Sequence, residues 1–332
     1  MKVLDKKWLD KIDSRLLLEL DHDGRMPCSL LGKKLNISKE VANYRIKRLM
    51  DNGIITGFHT VVDYGKLGFT NYKVYLKLKR LDNEALGPLF SFCRQCQNIS
   101  WLHRAWEDVD VVINVNEKRV EDFWKTYNRI VESCSGNLLQ KAVAITVSIA
   151  HLDHGFLEQK SPDMLYKIGG DKIGGRGKSI PLSKKEEMIL GLMAKDGRTP
   201  LVDMAKIAKM KPTTMLYALR RLKKSGVILG VRPTIDYGKL GLSWHKVIVK
   251  IENRSRMIYQ KVITLLMTIK GVIFITEVIA DQDLEFEVLC RDQGELIELI
   301  NLFRSQFPQG SISCRTRLLL GREIINYVPV FV

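Results

Sequence analysis

The sequence predicts an α+β chain written as a tandem repeat, each half a winged three-helix unit followed by a β-α-β-β-α-β module. Three observations carry this. Residues 63–68, DYGKLG, recur letter for letter at 236–241, a shift of 173 positions. The same shift takes Asp23-Gly24-Arg25 onto Asp196-Gly197-Arg198, and Tyr44, Arg48, Leu49, Gly53, Ile55 and Gly57 onto Tyr217, Arg221, Leu222, Gly226, Ile228 and Gly230, with no gap. An ungapped repeat of this length is one unit written twice. Finally, the apolar pattern ahead of each DYGKLG is helical, and behind it the pattern alternates in short runs.

The first unit opens with a helix from Leu9. Asp10 can cap its free N–H groups, and Ile12, Leu16, Leu17 and Leu20 form its apolar stripe. It ends near Asp23-Gly24. A short helix follows over residues 29–35, then a tight turn at Asn36-Ile37. Ser38 caps a third helix that stops at Asn52-Gly53, where Gly supplies the left-handed closing residue. Three helices with a tight turn between the last two are a helix-turn-helix pattern. Residues 54–62 read as a strand or small wing. In the second copy Ser183 and Glu186 form a capping box in register with Asp10 and Asp13, and Pro212 opens the third helix, where its missing N–H does no harm.

Behind the first DYGKLG, strands are expected at 72–79, 99–105, 109–115 and 141–150, with helices at 84–97 and 120–134. The second copy repeats this with strands at 245–251, 272–278, 284–290 and 315–320 and helices at 257–268 and 293–307. The order β-α-β-β-α-β is a ferredoxin-like unit. Domain boundaries follow: residues 1–68 and 182–241 for the winged units, 69–152 and 242–332 for the sheet modules. Residues 153–181, rich in Gly and Lys, read as a linker.

The totals narrow the function. A hydrophobic content of 45% and charged content of 27% are ordinary for a soluble globular protein. No apolar run of about 18 residues spans a membrane, and residues 1–13 lack the apolar core of a secretory signal. The expected location is the cytoplasm, on the nucleoid, with the six Cys as free thiols. The net charge of +16 is large and uneven. Residues 9–68 hold ten Lys/Arg against eight Asp/Glu, and residues 182–241 thirteen against five. A basic surface of this kind suits nucleic acid.

The third helices focus that charge. At about 100° per residue, Ala42, Ile46 and Leu49 face inward, as do Met215, Leu219 and Leu222. Lys39, Glu40, Asn43, Tyr44, Thr213, Thr214 and Tyr217 then become base-edge candidates near the helix starts. Lys47, Arg48, Arg220, Arg221 and Lys224 become phosphate candidates further along. Arg45, on the flank with Ala218 as its counterpart, is read equally as packing or contact.

The residues Leu9-Asp10-x-x-Asp13-x-x-Leu16-Leu17, Asp23-Gly24-Arg25, and Ser38 with Arg45-Ile46-x-x-Leu49-x-x-x-Gly53-Ile54-Ile55 resemble the Lrp/AsnC transcription regulators. The resemblance covers both copies and leaves out only the linker. It implies a dimer formed through the sheet modules, two recognition helices on double-stranded DNA, and often an amino-acid effector between modules. Here both copies lie in one chain, so self-association inside the chain is expected, and higher homo-oligomers are compatible with it. The region corresponding to the effector site holds Trp106, Glu107, Asp108 and Asp110, and Ala280, Asp281 and Asp283. Glu107 and Ala280 stand where the family has Gly, so no amino acid is expected to bind there in the family's manner.

No metal or cofactor is expected. Cys93-x-x-Cys96 lies in a predicted helix without a second pair, and His151-x-x-His154 sits at a strand end. Gly177-Lys178-Ser179 lacks the first Gly of a phosphate loop, because Lys172 stands there. An enzyme is the alternative, since siroheme decarboxylases also look like paired Lrp-type halves. It would need His and Arg converging on tetrapyrrole carboxylates. Of six His, His103 lies within a strand read for one sheet module and His245 opens a strand of the other, and both basic third helices are kept. A sequence-specific regulator is the better reading, ahead of that enzyme and of an architectural DNA binder.

Overall fold

The computed structural model describes residues 9–168, 179–252 and 255–324. The first winged unit comprises α1 (Lys11–His22), α2 (Cys28–Leu35), α3 (Lys39–Asp51) and the wing strand β1 (Ile55–Val62). Asp10 and Asp13 cap each other's backbone at the start of α1, and Ser38 accepts from Val41 N–H at the start of α3. Gly53, at φ +67°, closes α3 as expected of a Gly stop. The first sheet module follows as β2 (Thr70–Leu78), α4 (Asn83–Gln95), β3 (Ile99–Trp106), β4 (Val111–Glu117), α5 (Val120–Ser133) and β5 (Leu138–Leu152).

Residues 153–168 correct the linker reading. They form a 3₁₀ turn at Gly155–Glu158 and then β6 (Met164–Ile168), which adds to the edge of β5. Asp153 and His154 are buried. Ser179, Ile180 and Pro181 pack on the winged units: Ile180 N–H donates to Lys66 O at 2.8 Å, and Pro181 O accepts from Arg221 at 3.0 Å. Positions 169–178, including Gly177 and Lys178, lie outside the described residues.

The second copy repeats the first as α6 (Lys184–Lys195), α7 (Leu201–Ile207), α8 (Pro212–Lys224) and β7 (Ile228–Ile235). Its sheet module is β8 (Ser243–Ile251), α9 (Arg256–Leu266), β9 (Val272–Ile279), β10 (Leu284–Cys290), α10 (Gln293–Ser305) and β11 (Ile312–Ile324).

The two winged units share one core, in which Leu16, Leu20 and Leu49 pack in the same cluster as Leu190, Met193 and Leu222. Each such side chain contributes about 1.5–3 kcal/mol by leaving water. The wings pair with each other, β1 antiparallel to β7. The sheet modules also join. Their strands run β2-β4-β3-β11-β8-β10-β9-β5, and β5 returns to pair with β2, so the order closes on itself. The cross-copy pairs are β3–β11 and β5–β9. Helices α4 and α5 cover the outer face of one sheet, over Val74, Leu76 and Ile113. Helices α9 and α10 cover the other, over Val249, Phe286 and Val288. The inner faces of the two sheets look at each other.

Candidate nucleic-acid interface

The two repeated tripeptides and hexapeptides stitch the winged units together reciprocally. Arg25 donates to Gly197 O at 2.5 Å and Thr199 O at 2.8 Å, and Arg198 donates to Gly24 O at 2.6 Å and Met26 O at 3.3 Å. Lys66 Nζ donates to Ser225 O at 3.0 Å, and Lys239 Nζ donates to Asn52 O at 2.8 Å. Each DYGKLG lysine thus caps the C-terminus of the other copy's third helix, where the helix dipole favours a cation. Sequence reading found the repeat but not this role. The signal was the Lys inside a repeated hexapeptide; its partner lies 159 residues away for Lys66 and 187 for Lys239.

The inward faces are as expected: Ala42, Ile46, Leu49, Met215, Leu219 and Leu222 are buried. Lys39, Glu40, Asn43, Tyr44 and Lys47 on α3 are exposed, as are Thr213, Tyr217, Arg220 and Lys224 on α8, with Thr214 half-buried. Tyr44 is 62% exposed and Tyr217 72%, large apolar rings turned mostly to solvent. Glu40 sits in the first turn of α3, where its own backbone N–H and the Ser38 hydroxyl hold its carboxylate below the usual range.

The two remaining phosphate candidates are placed differently. Arg48 is tied to the buried carboxylate of Asp13, and Arg221 donates to Glu186 Oε1 at 2.5 Å. Glu186 is the 173-shifted counterpart of Asp13. These two arginines lock the third helix onto the first in each copy. Arg45 joins them, donating to Asp10 at 2.7 Å and Asp13 at 2.8 Å.

The residues of the expected effector region divide. Asp110 and Asp283 brace strand ends, accepting from Leu78 N–H at 2.8 Å and Ile251 N–H at 2.7 Å. Asp108, Ala280 and Asp281 share a cleft with Arg315 and Arg317. Arg317 makes a two-pronged contact to Asp108 at 2.6 and 2.8 Å. Burial opposes the Asp108 charge, but this guanidinium outweighs it and keeps the carboxyl below its usual range. Glu107 takes φ +127°, backbone that suits glycine. Trp106 is 59% exposed.

A cavity lies between the two sheets, roofed by β1, with about 820 Å³ of space that includes open solvent. Its walls come from both copies at equivalent positions. Lys73 faces Lys246, Asn71 answers Trp244, Trp101 answers Phe274, His103 answers Thr276, and Asn114 answers Glu287. His59 and His151 also line it. His103 lies on β3 and His245 on β8, and β5 runs past its expected end at 150 to take in His151 as well. His154 instead contacts Asp21 at 2.7 Å, beside an Arg232–Asp21 ion pair at 2.7 Å. Cys93 is buried in the first module's core, with Cys96 packed against it.

A winged helix-turn-helix DNA-binding family model matches residues 9–56 and 182–228, the same two units. The HTH-type transcriptional regulator Ptr1 of Methanocaldococcus jannaschii is 31% identical over 120 residues, covering 35% of this chain and 78% of that protein. This chain belongs to the Lrp/AsnC family of DNA-binding transcription regulators. The proline dehydrogenase transcriptional activator of Rhizobium radiobacter is 28% identical over 126 residues, 38% of this Lrp/AsnC chain and 81% of its own. Each relative aligns with little more than one third of the chain, as a single-copy protein must align with a doubled one. Across the whole length, the siroheme decarboxylase NirDL has the same fold, with a TM-score of 0.60, 14% identity, and 96% and 95% of the two chains covered. Among the described residues no helix of this family member is long and apolar enough to cross a membrane.

Proposed function

We propose that this chain regulates transcription as an intramolecular pseudo-dimer, one molecule setting two non-identical recognition helices on one DNA duplex. The observation that carries it is the reciprocal fastening of the two winged units, through Arg25, Arg198, Lys66, Lys239 and the β1–β7 pair, which leaves the outer faces of α3 and α8 exposed. Asn43, Tyr44, Thr213 and Tyr217 stand at the base-edge positions, and Lys39, Lys47, Arg220 and Lys224 supply positive charge for phosphates. Arg48 and Arg221 contribute through the angle at which they hold those helices. The protein works on the nucleoid in the cytoplasm, without catalysis. Domain boundaries fall at residues 68, 152, 181 and 241, with 153–168 docked on the first sheet module.

The test is fluorescence anisotropy of the full-length chain on a random-sequence duplex across a salt series. Affinity should fall steeply with salt, as counterion release requires. A chain that leaves DNA free at 50 mM salt would refute the reading.

One observation favours a second reading, an enzyme of the kind NirDL is named for. His59, His103 and His151 gather at the cavity with Lys73 and Lys246. Absorption spectroscopy separates the two: a Soret band in the purified protein would favour the enzyme.

A further inference from the structure

The cavity between the sheets is not symmetric in charge, although the repeat that builds it is. On the second copy's wall Lys246 is paired with Glu287, its cross-strand neighbour, at 2.9 Å. Glu285, on the same strand, takes Lys73 Nζ at 2.6 Å and Lys246 Nζ at 3.3 Å. The first copy has neither carboxylate. The counterparts of Glu285 and Glu287 are Val112 and Asn114. Lys73 keeps its lysine, faces Asn114 across β2 and β4, and reaches over to the other sheet for its anion. That contact uses one of the three N–H donors of an ammonium group. Asn114 Oδ1 is buried and has no hydrogen-bond partner among the described residues.

We propose that the first copy's wall of this cavity seats the carboxylate of a small flat aromatic acid. Lys73 would donate to one carboxylate oxygen, and the Asn114 side-chain amide would lie beside it. His103 adds a second donor to the same wall when its ring presents N–H. The ring of the acid lies among Trp101, Trp244 and Phe274. Burial pushes the Lys73 ammonium down to about 8, despite Glu285, and a bound anion would raise it again. The asymmetry suits a ligand with one charged end, which a symmetric homodimer cavity on a two-fold axis would not distinguish. The site is separate from the Asp108–Asp281 cleft, which lies further along the same strands past Tyr75, and it stands independently of DNA binding. The roof strand carries Thr60, whose hydroxyl donates to Met193 O of α6 at 2.8 Å. A ligand beneath it therefore touches the joint between both winged units.

The test is calorimetric titration of the full-length protein with benzoate, with benzyl alcohol and acetate as controls. Trp101 and Trp244 fluorescence gives a second readout. Benzoate should bind with a Kd near or below about 1 mM, and both controls at least about ten-fold more weakly. Asn114→Glu copies the second wall's Lys–Glu pair onto the first. It should leave the thermal midpoint unchanged and weaken benzoate at least about ten-fold. Lys73→Met should weaken benzoate by a similar factor while lowering the thermal midpoint, because it leaves buried Glu285 without its shorter lysine contact. Absence of benzoate binding, binding of benzyl alcohol as tight as benzoate, or benzoate binding unchanged in Asn114→Glu would each overturn the proposal. None of these outcomes bears on the DNA titration.

Discussion

Individual residues show how the copies have diverged while keeping one backbone. His22 on α1 contacts Asp153 Oδ2 at 3.0 Å. That hydrogen bond raises the imidazole above its usual 6.5, against a smaller effect of burial. Burial opposes the Asp153 charge, yet His22 and the N–H groups of Asp163 and Gly155 pull its carboxyl below 3.8. The signs give opposite limits. The His22 contribution is complete below pH 6.5 and is lost as pH rises through its raised folded value. The Asp153 contribution is lost as pH falls through its lowered one. NMR titration should therefore find His22 above 6.5. Asp153→Asn should drop it and flatten the loss of stability above neutrality. An unchanged His22 titration would exclude this contact. The 173-shifted counterpart of His22 is Lys195, so the second copy has no equivalent group.

At the scale of the element, the third helices were the most legible part of the chain, because a capped amphipathic helix is a local object. Their inward faces, Gly stop and exposed tyrosines all follow from spacing. What spacing could not show is which outward cations are already engaged. Arg48 and Arg221 look like neighbours of Lys47 and Arg220, but their partners sit 35 residues earlier on α1 and α6. This separates two effects in α8. Replacing Arg220 and Lys224 with Ala should lower the slope of log affinity against log salt by about 1.8, at about 0.9 per phosphate. Arg221→Ala should instead lower the thermal midpoint and change the slope less. Equal slope losses for Arg220→Ala and Arg221→Ala would contradict the placement. The lysine caps are a second test. Lys66→Ala with Lys239→Ala should cost about 0.5–1 kcal/mol at each helix end. Faster amide exchange in the last turns of both α3 and α8 is the expected signature, and exchange unchanged there would rule the caps out.

The whole molecule was legible as a repeat, and most of its strands and helices fell where alternation and helical spacing placed them. Two features were not. The alternating run around Lys73 reads as one buried and one solvent face, yet the second sheet covers the other face, so Asn71 and Lys73 are 2% exposed. A single strand pattern cannot reveal a second sheet contributed 170 residues later. Residues 164–168 were hidden for another reason: five residues beside a Gly- and Lys-rich tract give too short a period to read. Tyr166 in that strand packs so close to Gly230 that a Cβ there would meet its hydroxyl at 2.0 Å, whereas Gly57, the counterpart, is open. Gly230→Ala should therefore destabilise the fold and Gly57→Ala should not, by thermal denaturation.

The central claim is that one chain presents two different heads to one duplex. Selection of bound sequences from a random DNA pool tests it most directly, with the mass of the recovered complexes measured alongside. The account predicts two unlike half-sites, centred about one helical turn or a small multiple of it apart, occupied by one chain per duplex. A pool without enrichment, or a perfect palindrome holding two chains, would contradict it.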